Sequence, residues 1–189
     1  PYLLHGVTGS GKTEIYLRSI QLVINLNRSA VMVVPEISLT PQTVERFRQR
    51  FGDQVAVLHS GLTQKERFYE WKKIRDEKVS IAIGARSAIF APFKNLGIIV
   101  IDEEHDTSYK QDSSPRYHAR DSAIIRAQKQ SAVVLLGSAT PSLESIKNAE
   151  RGKYHYLSLE NRVHNRLLPI VKVINMKKEM DLKKNFSIF

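Results

Sequence analysis

The densest piece of chemistry in this sequence is the run Gly6-Val7-Thr8-Gly9-Ser10-Gly11-Lys12-Thr13, a complete GxxxxGK[ST] pattern. Glycines at these places let backbone N–H groups converge on a phosphate, and a following helix aims its positive end at the same charge. Lys12 then reaches the β- and γ-phosphates, and the Thr13 hydroxyl ligates Mg²⁺. The alternative is an accidental glycine-rich turn. Glycine makes up about 7% of average proteins, so four prescribed positions rarely coincide in a short chain. The flanks agree with a nucleotide loop: Tyr2-Leu3-Leu4 suits the end of a buried strand, and Thr13 to Leu26 suits a helix. The expected ligand is a nucleotide phosphate with Mg²⁺.

A second cluster stands at mid-chain, where the apolar run Ile98-Ile99-Val100-Ile101 closes on Asp102-Glu103-Glu104-His105. In a parallel sheet the carboxyl ends of the strands face one crevice, which brings Asp102 beside the phosphate loop. There it holds Mg²⁺ together with Thr13. Glu103 is then placed to orient or deprotonate the attacking water, a role worth roughly 10²–10⁴-fold in rate. Alone, the four residues read equally well as a surface acidic cluster capping the next turn.

Both clusters need a scaffold. Five short β-branched runs recur at Ala30–Val34, Val55–Leu58, Val79–Ile83, Ile98–Ile101 and Ala132–Leu136. They are continuous rather than alternating, as strands covered on both faces should be. Thr40-Pro41 supplies an N-cap and an N1 proline before Gln42–Phe51. Thr63-Gln64-Lys65-Glu66 is a capping box that opens a helix through Asp76. Thr140-Pro141 repeats the cap-plus-proline device before Ser142–Glu150, and Tyr154–Leu159 reads as a final strand. The expected class is α/β: a mainly parallel sheet with helices on both faces, here a P-loop NTPase domain over residues 1–162. Residues 163–189 show no sustained period and read as a basic connection to a further domain. Both ends look cut, as in one domain of a longer protein. Trp71, inside a helix, is expected to pack in the core.

With 189 residues, 42% hydrophobic and 25% charged, the chain has material for one ordinary domain with a real core. No apolar run approaches the roughly 20 residues of a membrane span, and no membrane partner is expected. The absence of cysteine removes disulfides and thiolate metal sites. His5, His59, His155 and His164 share no metal-ligand spacing, and no zinc is expected. The net charge of +10 favours a polyanionic partner. About half of that excess lies between Glu150 and Phe189, where nine Lys/Arg meet four Asp/Glu. A solvated terminus explains that share equally well.

The segment Asp106–Ala119 holds Tyr109, Lys110, Arg116, Tyr117 and His118 without helical or strand period. Aromatics interleaved with cations suit stacking on single-stranded bases, worth about 1–3 kcal/mol per base. A long surface loop whose tyrosines fold back on the domain fits the composition as well.

Taken together, the motifs resemble those of superfamily 2 helicases. The acidic box resembles their motif II, and Gly137-Ser138-Ala139-Thr140 resembles motif III. Val34-Pro35-Glu36-Ile37-Ser38-Leu39-Thr40-Pro41-Gln42 looks like motif Ia, and His59-Ser60-Gly61-Leu62 occupies a later family position. The strings Gly84-Ala85-Arg86-Ser87-Ala88-Ile89-Phe90-Ala91-Pro92-Phe93 and Asp102 through Gln111 resemble the bacterial replication-restart helicases in particular, over Leu3 to about Arg162.

The resemblance implies the first RecA-like motor domain of an ATP-dependent DNA helicase, which translocates on single-stranded DNA and unwinds duplex during replication restart. It implies single-stranded or forked DNA and other replication-restart proteins as partners, in the bacterial cytoplasm with the nucleoid. Arg86 and Ser87 would contact a DNA phosphate, although a solvated arginine is the ordinary alternative. Tyr109, Lys110, Arg116 and Tyr117 would form a DNA-responsive loop. His105, Ser138 and Thr140 would relay nucleotide state, while Thr140 also serves as a helix cap. The second lobe of such a motor supplies a finger arginine worth about 10³–10⁵ in rate, so this piece alone is expected to be nearly inactive. The family's zinc-binding cysteines and fork-recognition region have no counterpart in these residues. Two other readings stay open: a non-helicase P-loop phosphotransferase, and a nucleic-acid binding module that ignores ATP.

Overall fold

β-Branched runs that bury both faces can only be strands with helices above and below, and the computed structural model has that architecture. It describes residues 1–163 and 173–174, so the expected connection over 163–189 lies almost wholly outside the described residues. The strands are β1 (Tyr2–Gly6), β2 (Ser29–Val33), β3 (Val55–Leu58), β4 (Ile81–Gly84), β5 (Leu96–Ile101), β8 (Val133–Ser138) and β9 (His155–Leu159). They form one seven-stranded sheet in the order β3-β4-β2-β5-β8-β1-β9. Every pairing in it is parallel. The helices are α1 (Lys12–Asn25), α2 (Pro41–Phe51), α3 (Gln64–Arg75), α4 (Ala119–Gln130) and α5 (Leu143–Glu150).

Each central strand sends alternate residues into two separate cores. Ala30, Met32 and Val34 point to one, where Tyr16, Leu17 and Ile20 of α1 meet Phe47 and Phe51 of α2. Val31 and Val33 point to the other, with Ile74 of α3 and Ala119, Ala123 and Ala127 of α4. The register decides what the carboxyl edge can do. Leu136 of β8 lies beside both Leu3 of β1 and Ile101 of β5, so the three strands finish in step. Phosphate loop, Ser-Ala-Thr segment and acidic box therefore leave the sheet side by side.

The helix-start signals at Thr40 and Thr63 act as expected. Thr40 accepts from the Thr43 N–H before Pro41, and Thr63 and Glu66 form a complete capping box. Three expectations need correction. The cap of α5 is Ser142, which accepts from the Ser145 N–H, not Thr140. The hydroxyl nearest to a free helix N–H takes the cap, and Thr140 stands two residues too early. Trp71 is not a core residue: it is 39% exposed, with the Arg75 guanidinium 5.3 Å above its ring. The segment after the acidic box has more structure than its composition suggested. A single turn at Thr107–Tyr109 leads into the antiparallel pair β6 (Lys110–Gln111) and β7 (Tyr117–His118). Helix α4 then follows, which the sequence reading passed over.

One buried carboxylate fastens these late elements to the acidic box. Glu104, 1% exposed, accepts the Ser142 N–H at 2.7 Å, the Ser142 and Ser145 hydroxyls at 3.0 and 2.8 Å, and Arg120 Nη1 at 3.1 Å. It thereby joins the first turn of α4 to the N-terminus of α5. Removing one partner of a buried ion pair strands the other, at a cost of about 3–5 kcal/mol. Glu104→Ala should lower stability by that amount, read as a shift in the urea unfolding midpoint, and substantially more than Glu104→Gln.

Candidate functional site

The loop leaving β1 can turn only because its glycines accept left-handed backbone. Gly9 and Gly11 have φ of 80° and 93°, and Gly11 opens α1. Lys12 follows at once, 9% exposed, and its Nζ donates to the Gly6 carbonyl at 2.7 Å. The ammonium is thus held over the loop that the N-terminus of α1 closes. Ser10 Oγ is buried there with no hydrogen-bond partner among the described residues, a hydroxyl that a phosphate oxygen would satisfy.

The acidic box is held from both sides of the sheet. Tyr16, in the core beneath α1, donates its hydroxyl to Asp102 Oδ1 at 2.9 Å. Tyr109, in the opposite core, donates to the Asp102 carbonyl at 2.5 Å. Both rings are fully buried. Burial, joined by the Asp102 charge, pushes both phenols far above their ordinary value, so they remain hydrogen-bond donors. Burial also raises Asp102, against the lowering pull of Tyr16, the Glu103 N–H and Lys12. The Glu103 N–H donates to the same Oδ1 at 3.0 Å, leaving Oδ2 as the oxygen without a protein donor among the described residues. Glu103 itself sits at φ 45°, left-handed backbone that a non-glycine residue adopts at a cost of about 1–3 kcal/mol. That turn sends the chain back so that the Glu104 N–H meets the Gly137 carbonyl at 3.0 Å.

Loop and box share one cavity of about 420 Å³, lined by Thr8, Gly9, Gly11, Lys12, Thr13, Asp102 and Glu103. Its donor set suits Mg²⁺: one hydroxyl and one carboxylate, with space for phosphate oxygens and water. Among the described residues no group of three or more His, Cys, Asp or Glu could hold a metal by itself. Arg46 of α2 also lines the cavity. The sequence reading missed it, because only the fold brings the motif Ia helix across to the phosphate loop.

Residues 2–149 match the family model for DEAD/DEAH box helicases. The chain belongs to the DEAD/DEAH box helicase family. It is 58% identical over 179 residues to the replication restart protein PriA of Bacillus subtilis, covering 95% of this chain and 22% of that protein. With PriA of Haemophilus influenzae it shares 53% over 178 residues, covering 94% and 24%. The chain thus spans about a quarter of the curated relatives it matches. Among solved structures, RecG bound to a three-way DNA junction superposes with a TM-score of 0.62 at 23% identity, over 96% of this chain and 24% of that one. The Pyrococcus furiosus Hef helicase domain gives 0.56 at 19%, over 82% and 34%. Both establish the RecA-like helicase fold.

In this helicase domain the three residues expected to relay nucleotide state do meet. His105 Nδ1 lies 2.8 Å from Ser138 Oγ and 3.7 Å from Glu103 Oε2, and His105 Nε2 lies 3.4 Å from Thr140 Oγ1. Ser138 Oγ accepts the Thr140 N–H at 2.9 Å. The residues expected on DNA divide. Arg86, Ser87 and Tyr117 line one groove with Ser60, Arg67, Ser108 and Gln111. Arg86 is no solvated arginine: its Nη1 donates to the Ser108 and Lys110 carbonyls at 3.0 and 2.5 Å, and it lies 5.8 Å from the Tyr117 ring. Lys110 on β6 and Arg116 in the turn before β7 are exposed, Lys110 being 3.0 Å from Asp112. Tyr109 is a correction. It presents no ring face to a base, because both of its hydrogen bonds and its whole surface are spent inside the domain.

No helix among the described residues is long and apolar enough to cross a membrane. The two tyrosine contacts can be separated by experiment. Tyr16→Phe keeps the ring and removes one of two donors on Asp102 Oδ1, a hydrogen bond to a charged group worth about 1.5–3 kcal/mol. Half-saturation by Mg²⁺ in nucleotide titrations of the full-length protein should rise roughly tenfold or more, with little change in nucleotide affinity without metal.

Proposed function

We propose that this domain is the first motor lobe of an ATP-driven DNA helicase that acts in replication restart. The carrying observation is the common cavity of the phosphate loop and the acidic box. ATP lies along Gly6, Val7, Thr8, Gly9, Ser10, Gly11, Lys12 and Thr13. Lys12 turns from the Gly6 carbonyl to the β- and γ-phosphates. Thr13 and Asp102 hold Mg²⁺, which when bound neutralises charge developing on the transferred phosphoryl group. Glu103 orients and deprotonates the attacking water. A second lobe, from elsewhere in the longer protein, supplies the finger arginine, so this lobe alone hydrolyses ATP very slowly.

Single-stranded DNA runs along the carboxyl edge of the sheet through the groove at Arg86, Ser87 and Tyr117, with Lys110 and Arg116 on its rim. Tyr109 serves as a lever instead of a stacking platform. Its hydroxyl holds the Asp102 backbone, and Arg86 grips the carbonyls on either side of it. Movement of the hairpin is therefore carried to the residue that holds the metal. His105, Ser138 and Thr140 pass the same state toward α5. The likeness to PriA supports extending this reading to forked DNA, other replication-restart proteins and a bacterial cytoplasmic, nucleoid-associated location.

ATP titration of the full-length protein, with and without single-stranded DNA, tests this reading. Lys12→Ala should abolish nucleotide binding. Glu103→Gln should bind nucleotide normally and lose about 10²–10⁴-fold in turnover. Tyr109→Phe and Tyr117→Ala should keep nucleotide affinity and lose DNA stimulation. Turnover indifferent to DNA in the wild type would point to a phosphotransferase, and DNA binding indifferent to ATP would point to a binding module.

A further inference from the structure

Helix α3 carries a surface that the nucleotide chemistry does not use. Its inward side is accounted for: Ile74 is buried, Glu70 Oε2 accepts the Val57 N–H at 3.1 Å, and Glu66 closes the capping box with Thr63. Its outer side is not. Arg67, Trp71 and Arg75 recur at four-residue spacing, and Phe68 and Lys72 run beside them at the same spacing. Side chains four apart on a helix are neighbours, so these five make one stripe. Phe68 is 56% exposed and Trp71 39%. Arg67 and Lys72 have no ion-pair partner among the described residues. Arg67 also lines the groove with Ser60, Arg86, Ser87 and Tyr117, so the stripe begins where that groove ends.

Charge and ring exposure together select the occupant. The two acids on the helix are turned to Thr63, Lys73 and the β3 backbone, and Asp76 at its end pairs with Arg75 at 2.9 Å, which leaves Arg67 and Lys72 as the cations of this face. A merely solvated face would have no use for Phe68 and Trp71. A duplex hides the faces of its bases, whereas a single strand offers them beside its phosphates. We propose that Arg67, Phe68, Trp71, Lys72 and Arg75 form a single-stranded nucleic-acid platform that continues the groove beyond Arg86. Bases stack on Phe68 and Trp71, and Arg67 and Lys72 meet phosphates. The proposal rests on the reading of the groove as the strand's path.

Fluorescence anisotropy of the full-length protein with oligothymidylates of increasing length tests both separately. Wild-type affinity should climb once the strand is long enough to pass Arg67. Phe68→Ala with Trp71→Ala should remove that climb, weakening the long strands by roughly fivefold to a hundredfold per lost ring and leaving the shortest unchanged. Arg67→Ala with Lys72→Ala should flatten the salt dependence by about 1.4 in log–log slope. Arg86→Ala should weaken every length. If the ring variants bind all lengths as the wild type does while Arg86→Ala weakens them, the platform is overturned and the groove stands. If Arg86→Ala is also without effect, the groove reading falls too, and the platform with it.

Discussion

Asp102 is gripped from above and below the sheet at once. A phenol from each core reaches it, one on the carboxylate and one on the carbonyl. Each hydroxyl is buried, so leaving it without a partner would cost about 1–3 kcal/mol, and the residue cannot drift from either without that loss. The rest of the edge is arranged around this point. The left-handed turn at Glu103 places its N–H on the same carboxylate, Glu104 ties the next residue to α4 and α5, and His105 faces Ser138. Four consecutive acidic-box residues are therefore each committed to a different neighbour. Gly137 completes the arrangement by default. A Cβ there would come within 1.7 Å of the Tyr16 hydroxyl, so only glycine lets that ring reach across β8 to its partner.

The sequence exposed much of this in outline because the relevant signals are local. The phosphate loop, the helix starts at Thr40 and Thr63, and the β-branched runs each involve residues within a few positions of one another, and these appear where expected. Helix α4 escaped notice because its inward face is Ala119, Ala123 and Ala127, residues too small to give an apolar stripe any contrast. The role of Tyr109 was hidden for a different reason. Composition shows an aromatic between cations, but whether its ring faces solvent depends on Val33 of β2, far away in the chain, and on how the backbone folds back to Asp102. The same is true of Arg46, and of Glu104, whose partners lie sixteen to forty-one residues further on. Signals that need tertiary neighbours do not survive in a linear reading.

The electrostatics of the groove also differ from what net charge suggests. A solvated cation attracts a polyanion from a distance but holds no geometry. Arg86 is spent on two carbonyls and a tyrosine ring, so its charge is fixed in direction before any strand arrives. On the strand path proposed above, the excess positive charge of the chain would supply attraction, and this one preorganised guanidinium would supply orientation. The two contributions respond differently to ionic strength, since the first is screened over about a Debye length.

The contact between Glu70 and the Val57 N–H has a meaning beyond its own bond. Strand β3 is a rim of the sheet, and a rim with unpaired backbone donors is a template on which a stray strand can nucleate aggregates. A carboxylate lying across the middle of a four-residue strand occupies a donor that an intruding backbone carbonyl would need, and it repels that carbonyl by its charge. The lobe can thus remain monodisperse at this border while its chemistry is concentrated on the perpendicular edge.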